Sequence, residues 1–206
     1  MRLRRWTTLL VIVVAGALVA GAVPPFTADV ANAHEICDFV TGGGFILLPS
    51  NSGTVHGNFG VAGGCKHGSF WGHLNYLDHG SNLAWAATRP TPFHVHWTSI
   101  TAYFWEGDTV IDPKTHQRIG TRHICGTAWT NDPTHQSVYF HVRVEDNGEP
   151  GVNDTFRITL RDAVTGDCCY ATGEQQLGGG GPGGGNIQIH KENPSTTGPD
   201  GGSCGA

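Results

Sequence analysis

Two stretches decide the fold: "VYFHVRVE" (138–145) and "TFRITLR" (155–161). In the first, Val138, Phe140, Val142 and Val144 fall on one parity, and Tyr139, His141, Arg143 and Glu145 on the other. Strand side chains alternate between faces, so this period of two predicts a half-buried β-strand. In the second, Phe156, Ile158 and Leu160 alternate with threonine and arginine in the same way. Between them lies "DNGEPGVND" (146–154), a cluster of Asp, Asn, Gly and Pro that suits turns. The pair predicts an antiparallel hairpin with a long loop.

The same pattern, less regular, spreads outward. Strands are predicted around Val40–Leu47, Thr54–Val61, Ser69–Tyr76, His94–Trp105, Ile119–Thr130, Tyr170–Leu177 and Asn186–Lys191. No long window repeats apolar residues with helical spacing. Alternating wet and dry faces imply antiparallel sheets. The expected fold is therefore all-β, an antiparallel barrel-like sandwich of about eight to ten strands.

The N-terminus reads as an export signal. "MRLRRWTTLLVIVVAGALVAGAV" carries Arg2, Arg4 and Arg5 before an apolar run, and "ANA" (31–33) offers small residues for cleavage. The expected organisation is a signal peptide at 1–33, one β-domain at 34–191, and a disordered Gly/Pro/Ser-rich tail at 192–206. That tail has little apolar content to bury, and only Cys204 could tie it down. The glycine run "LGGGGPGGGN" (177–186) is followed at once by "NIQIHK", so it is read as a loop inside the domain. The leader carries three arginines and Asp29, a net charge of +2, so its loss moves the chain from −5 to about −7. An acidic chain with no basic run excludes nucleic acid as a partner class, and a membrane surface once the leader is gone. The expected location is extracellular, with an extracellular ligand or cell-surface component as the partner.

Six cysteines lie at 37, 65, 125, 168, 169 and 204. Export and an even count favour disulfides. Six cysteines allow about 15 pairings, and spacing does not choose among them. Cys168 and Cys169 are adjacent and are expected to pair with different partners.

Several segments, in order, resemble one family. "VTGGGFI" (40–46), "GNFGVA" (57–62), "GHLNYLDH" (72–79), "TSITA" (98–102), "VEDNGEPGVNDTFRI" (144–158) and "GGGNIQIHK" (183–191) are similar to the post-COAP domain. That module is found beside choice-of-anchor-P domains in exported bacterial proteins. The resemblance implies an all-β extracellular or cell-surface module with no assigned activity, and it supplies no catalytic residues. No stretch of these 206 residues reads as a neighbouring anchor domain. It adds loops at "GGCKHG" and "WEGDTVIDPKTHQRIG" and its own cysteines.

Three sets of residues could carry chemistry. In "PFHVHWTSI" (92–100), His94 and His96 on a strand would point the same way about 7 Å apart, a geometry that suits two zinc ligands. "FHVHW" also resembles the zinc strand of α-carbonic anhydrases, but the match stops after five residues. Such a site needs a third ligand, for which His116 and His123 are the downstream options. The alternative is a pair of solvent-facing histidines, in keeping with His56, His73, His141 and His190 on the polar parity of their strands. A face with many of the 12 histidines could take up Zn²⁺, Cu²⁺ or Ni²⁺. Residues Ile100, Ala102 and Phe104 share the histidines' parity, which implies either a bulge near Thr98–Ser99 that switches the faces or a strand covered on both faces. Second, Asp146, Glu149 and Asp154 crowd one loop with Glu145, and oxygen ligands at that density can hold Ca²⁺. Their spacing is not that of an EF-hand, and a turn-forming loop is the plainer reading. Third, Trp71, Trp97 and Trp129 could stack on sugar rings, or be partly buried against loops. Asp78 in "YLDHG" reads as the residue that ends a strand and caps a turn. No G-x-S-x-G, H-E-x-x-H or phosphate-loop pattern occurs. The expected function is a secreted, non-catalytic binding or structural domain. The alternatives are a histidine-dependent metal protein or metalloenzyme and a carbohydrate-binding module.

Overall fold

The computed structural model describes residues 37–83, 85, 90–198 and 200–204. The leader expected at 1–33 lies outside them. The described chain is all-β: β1 (Phe39–Ser50), β2 (Gly53–Lys66), β3 (Ser69–Asp78), β4 (Phe93–Ile111), β5 (Arg118–Thr130), β6 (Ser137–Asp146), β7 (Thr155–Asp162), β8 (Cys168–Ala171), β9 (Gln175–Gln176), β10 (Gly185–His190) and β11 (Gly201–Gly202). Its helical content among the described residues is one 3₁₀ turn, Leu177–Gly180. No helix among them is long and apolar enough to cross a membrane.

The eleven strands form one antiparallel sheet in the order β11-β4-β3-β2-β1-β10-β5-β6-β7-β8, with β9 on β7. An additional β4–β5 pairing curls it into a partial ring. The ring is not a true barrel, because β10 meets β5 through the single pair Ile189–Arg118. The result has two layers. One is β3, β2, β1 and β10; the other is β5, β6, β7 and β8; the long β4 is the seam between them.

The central hairpin sits as its parity predicts. Val138, Phe140, Val142, Val144, Phe156, Ile158 and Leu160 are all buried. They face Phe59 and Tyr76 of the other layer and Phe93 of the seam, and Phe59 stacks on Phe156 with ring centroids 3.9 Å apart. Aromatic pairs of this kind add to plain area burial. The segment predicted at Tyr170–Leu177 is two short strands, β8 and β9.

Strand β4 changes faces twice. Phe93 and Val95 point inward, register shifts fall between Trp97 and Ser99 and between Ile100 and Ala102, and Tyr103 is again buried. The first shift is the bulge expected near Thr98–Ser99. Gly126 pairs with Ile100, between the two shifts; a Cβ there would collide with the carbonyl oxygen of Ser99. A bulge brings an extra backbone unit close to its partner strand, so the partner position must be small.

The tail corrects the expectation of disorder. Gly201 and Gly202 pair with Tyr103 and Ala102 of β4, and Cys204 is bonded to Cys125. Upstream, the carbonyls of Ser195 and Thr197 accept the amides of His67 and Gly68 from the β2–β3 turn, and Thr196 is buried. Two further bridges are Cys37–Cys65 and Cys168–Cys169. The adjacent cysteines thus pair with one another, not with separate partners. Of the other four, Cys37 just before β1 meets Cys65 of β2, and Cys204 just after β11 meets Cys125 of β5.

Candidate functional site

The outer faces of β1 to β4 follow from register. Phe45, Asn58, Leu77 and His94 form one row across the strands. Gly43, Gly60, Asn75, His96 and Trp129 form the next. Neither row holds a charged carboxylate, ammonium or guanidinium. Two adjoining grooves lie here. One, of about 600 Å³, is lined by Val55, His56, Asn58, Leu77 and His79. The other, of about 490 Å³, runs over Phe45, Asn58, Gly60, Asn75 and Leu77 to the Gly183–Gly184 loop.

His94 and His96 do project from the same face. What lies between them is Asn75: its Oδ1 is 3.0 Å from His94 Nε2 and 3.1 Å from His96 Nδ1. Burial, then the neighbouring His96, holds His94 below the usual histidine range. By geometry, the one amide oxygen can accept an N–H from each ring. Among the described residues, no third histidine, cysteine or carboxylate joins them in ligating range. His116 sits in the β4–β5 turn, where Asp112 accepts its backbone amide, and His123 belongs to a different cluster.

The loop carboxylates are occupied by the protein. Asp146 accepts the amides of Gly148 and Ile189, each at 2.9 Å. Asp154 accepts Asn147 N–H at 2.9 Å and Ile187 N–H at 2.8 Å. Glu149 accepts the side-chain amide of Asn186 at 3.0 Å. All three thus grip β10 or its first residues. Burial pushes the Asp146 carboxyl above its ordinary range and Asp154 up to about 6, against the pull of the amides.

The tryptophans part company. Trp71 is half-buried, donates Nε1–H to Cys65 O at 3.2 Å and leans on Phe39. Trp97 shares the inward parity of Phe93 and Val95 and packs against the core. Trp129 is 45% exposed, with its ring edge-on to His94 at 6.0 Å. It is the one of the three that lies on the grooved face.

A second outer cluster lies on β5 and β6. His123 Nε2 is 2.8 Å from Glu106, and its Nδ1 is 2.7 Å from His141 Nε2. With both rings neutral, His123 donates to Glu106 and accepts from His141. Phe104 stacks on His123 at 4.7 Å, and Arg143 bridges Glu106, Glu145 and Glu174. Burial and the adjacent His123 lower His141 to about 4. His141 also lies with Cys125 and Cys204, all ligating atoms within 4.8 Å, but those sulfurs are joined in a disulfide.

Two buried networks join residues far apart in sequence. Asp38 accepts Tyr103 O–H at 2.6 Å and a forked contact from Arg122, with Nε at 3.1 Å and Nη2 at 2.5 Å. All three side chains are at most 1% exposed. Arg122 also lies 4.4 Å over the Trp105 ring, a cation–π contact. Asp78 caps its turn as read, accepting the amides of Gly80 and Ser81, and also takes Tyr170 O–H at 2.8 Å. No protein-family model, curated protein or solved structure matches the chain.

Proposed function

We propose that the chain is an exported, non-catalytic β-domain that works by binding, through the outer face of β1 to β4. One observation carries this reading. The buried acids Asp38, Asp78, Asp146 and Asp154 are each committed to protein donors, while the grooved face offers uncharged polar and aromatic groups. Catalytic acids and bases sit in concave pockets with solvent or substrate within reach. Here the carboxylates hold strands together instead. Export is supported by the charged and apolar leader together with the disulfides. The post-COAP resemblance points to the same extracellular setting.

Co-sedimentation tests the reading. The mature domain is expected to sediment with washed envelopes of the producing cell, and a Gly60→Phe variant, which fills the groove, to stay in solution. Equal sedimentation of the two would overturn it. The metalloenzyme alternative is checked by elemental analysis of tag-free mature protein. One zinc per chain would favour that alternative over binding alone.

A further inference from the structure

We propose that the groove across β1 to β4 takes a neutral, hydroxyl-rich polysaccharide chain. This inference rests on the binding reading above and names the class of ligand.

The floor comes first. Gly43 and Gly60 are direct cross-strand partners, and both face outward. The floor at that point is bare backbone. Gly60 has ordinary strand geometry, and a Cβ there would meet nothing within 4 Å. Packing against the fold does not require glycine at this position. A side chain of any size would stand in the groove.

The polar groups come next. Asn58 lines both grooves, and its amide makes no hydrogen bond within the described chain. Asn75 presents its amide nitrogen beside an oxygen that already organises His94 and His96. Carboxamides and neutral imidazoles each offer donors and acceptors. That is the complement of a hydroxyl, which also both donates and accepts. No carboxylate, lysine or arginine lines the groove among the described residues. An anionic or cationic polymer would lose its hydration there without gaining a counter-charge.

The aromatic surfaces complete the set. Phe45, in the groove wall, stacks on His56 at 4.1 Å, and exposed Trp129 stands beyond the grooves at the far end of the Gly60, Asn75 and His96 row, edge-on to His94. Such rings give an apolar face with a polar edge. They suit the C–H faces of sugar rings. The two grooves share Asn58 and Leu77, so they run together, and each volume falls within the range of small-ligand sites. An open, continuous trough fits a chain rather than one enclosed sugar.

Affinity electrophoresis of the mature protein provides the test. Native gels would carry soluble neutral polysaccharides (a mixed-linkage β-glucan, a mannan and an arabinoxylan) or an acidic one, alginate. At least one neutral gel is expected to retard the protein, and alginate is not. Gly60→Phe and Trp129→Ala are each expected to weaken retardation at least tenfold while melting near the parent temperature. No retardation by any neutral polymer, or equal retardation of the Gly60→Phe variant, would overturn the proposal. Envelope binding separates the two readings. If sedimentation remains Gly60-dependent but is abolished by protease and untouched by the glycans, the partner is a protein; the glycan inference then fails and the binding reading stands.

Discussion

At the scale of single residues, the most consequential contact is Asp38 with Arg122. A buried ion pair can be near neutral overall, but breaking one side leaves an uncompensated charge, at about 3–5 kcal/mol. Asp38→Ala is therefore expected to destabilise the protein by about that amount in urea melts. The double variant Asp38→Ala, Arg122→Met is expected to recover much of the loss, since it removes both charges. Nothing in the sequence links position 38 to 122, because Asp38 precedes the first strand and Arg122 sits in a run of inward parity. By contrast, the turn-capping role of Asp78 was legible, because Asp before Gly at a strand end has a local use. His141 gives a second prediction. Its folded value near 4 lies below the unfolded 6.5, so the unfolded chain binds the extra proton between those limits. Its contribution to stability is intact above about 6.5 and is lost as pH falls toward 4. The groups facing it are His123, Arg157 and Glu106. Asp154, raised to about 6, acts in the opposite sense, since its ionised form is the costly one and stability falls as pH rises from about 4 to 6. Only a difference between proteins isolates His141. The gap in melting temperature between the parent and His141→Gln is expected to shift toward the variant by several degrees from pH 7 to pH 5.

At the scale of elements, β10 is held in an unusual way. One edge pairs with β1 along six residues, from Phe39–His190 to Gly44–Gly185. On the other edge, the amides of Ile187 and Ile189 go to Asp154 and Asp146, not to a neighbouring strand. Two carboxylates, Asp146 at the end of β6 and Asp154 in the loop after it, thus stand in for most of a strand partner beside the single Ile189–Arg118 pair. An unmet buried donor costs about 1–3 kcal/mol. Asp154→Ala strips the acceptor from the buried Ile187 amide, while the exposed Asn147 amide can turn to water, so a loss of about 1–3 kcal/mol is expected from chemical denaturation. Hydrogen exchange should show the Ile187 amide losing protection first. The acid loop and "GGNIQIHK" were each visible in the sequence, and the acids suggested calcium because their density was legible and their target was not. The second bulge of β4, between Ile100 and Ala102, escaped notice for a related reason. Two bulges in succession restore the starting parity, so Tyr103 faces inward with Val95 while Phe104, of the opposite parity, stacks on His123.

At the scale of the whole molecule, the Cys125–Cys204 bridge spans 79 residues of chain and fastens the tail across the seam strand β4. Long closed loops gain most from a cross-link, and loss of a native disulfide in a small domain typically costs about 2–5 kcal/mol. The Cys125→Ala, Cys204→Ala variant is expected to melt at lower temperature and to be cut by protease near 193–204, with the β6–β7 core still protected. Periodicity alone determined the class of fold, the central hairpin and most strand positions. A period of two is a local property that burial of one face imposes on every strand. The sequence also placed His56 and His73 on the outward parity of β2 and β3. Tertiary structure decided which outward residues become neighbours. Asn75 stands between His94 and His96, Gly43 abuts Gly60, and Asp154 reaches β10 only because antiparallel register and ring closure bring distant segments together. Those distances depend on how one strand aligns with the next, and no spacing along a single chain records that alignment.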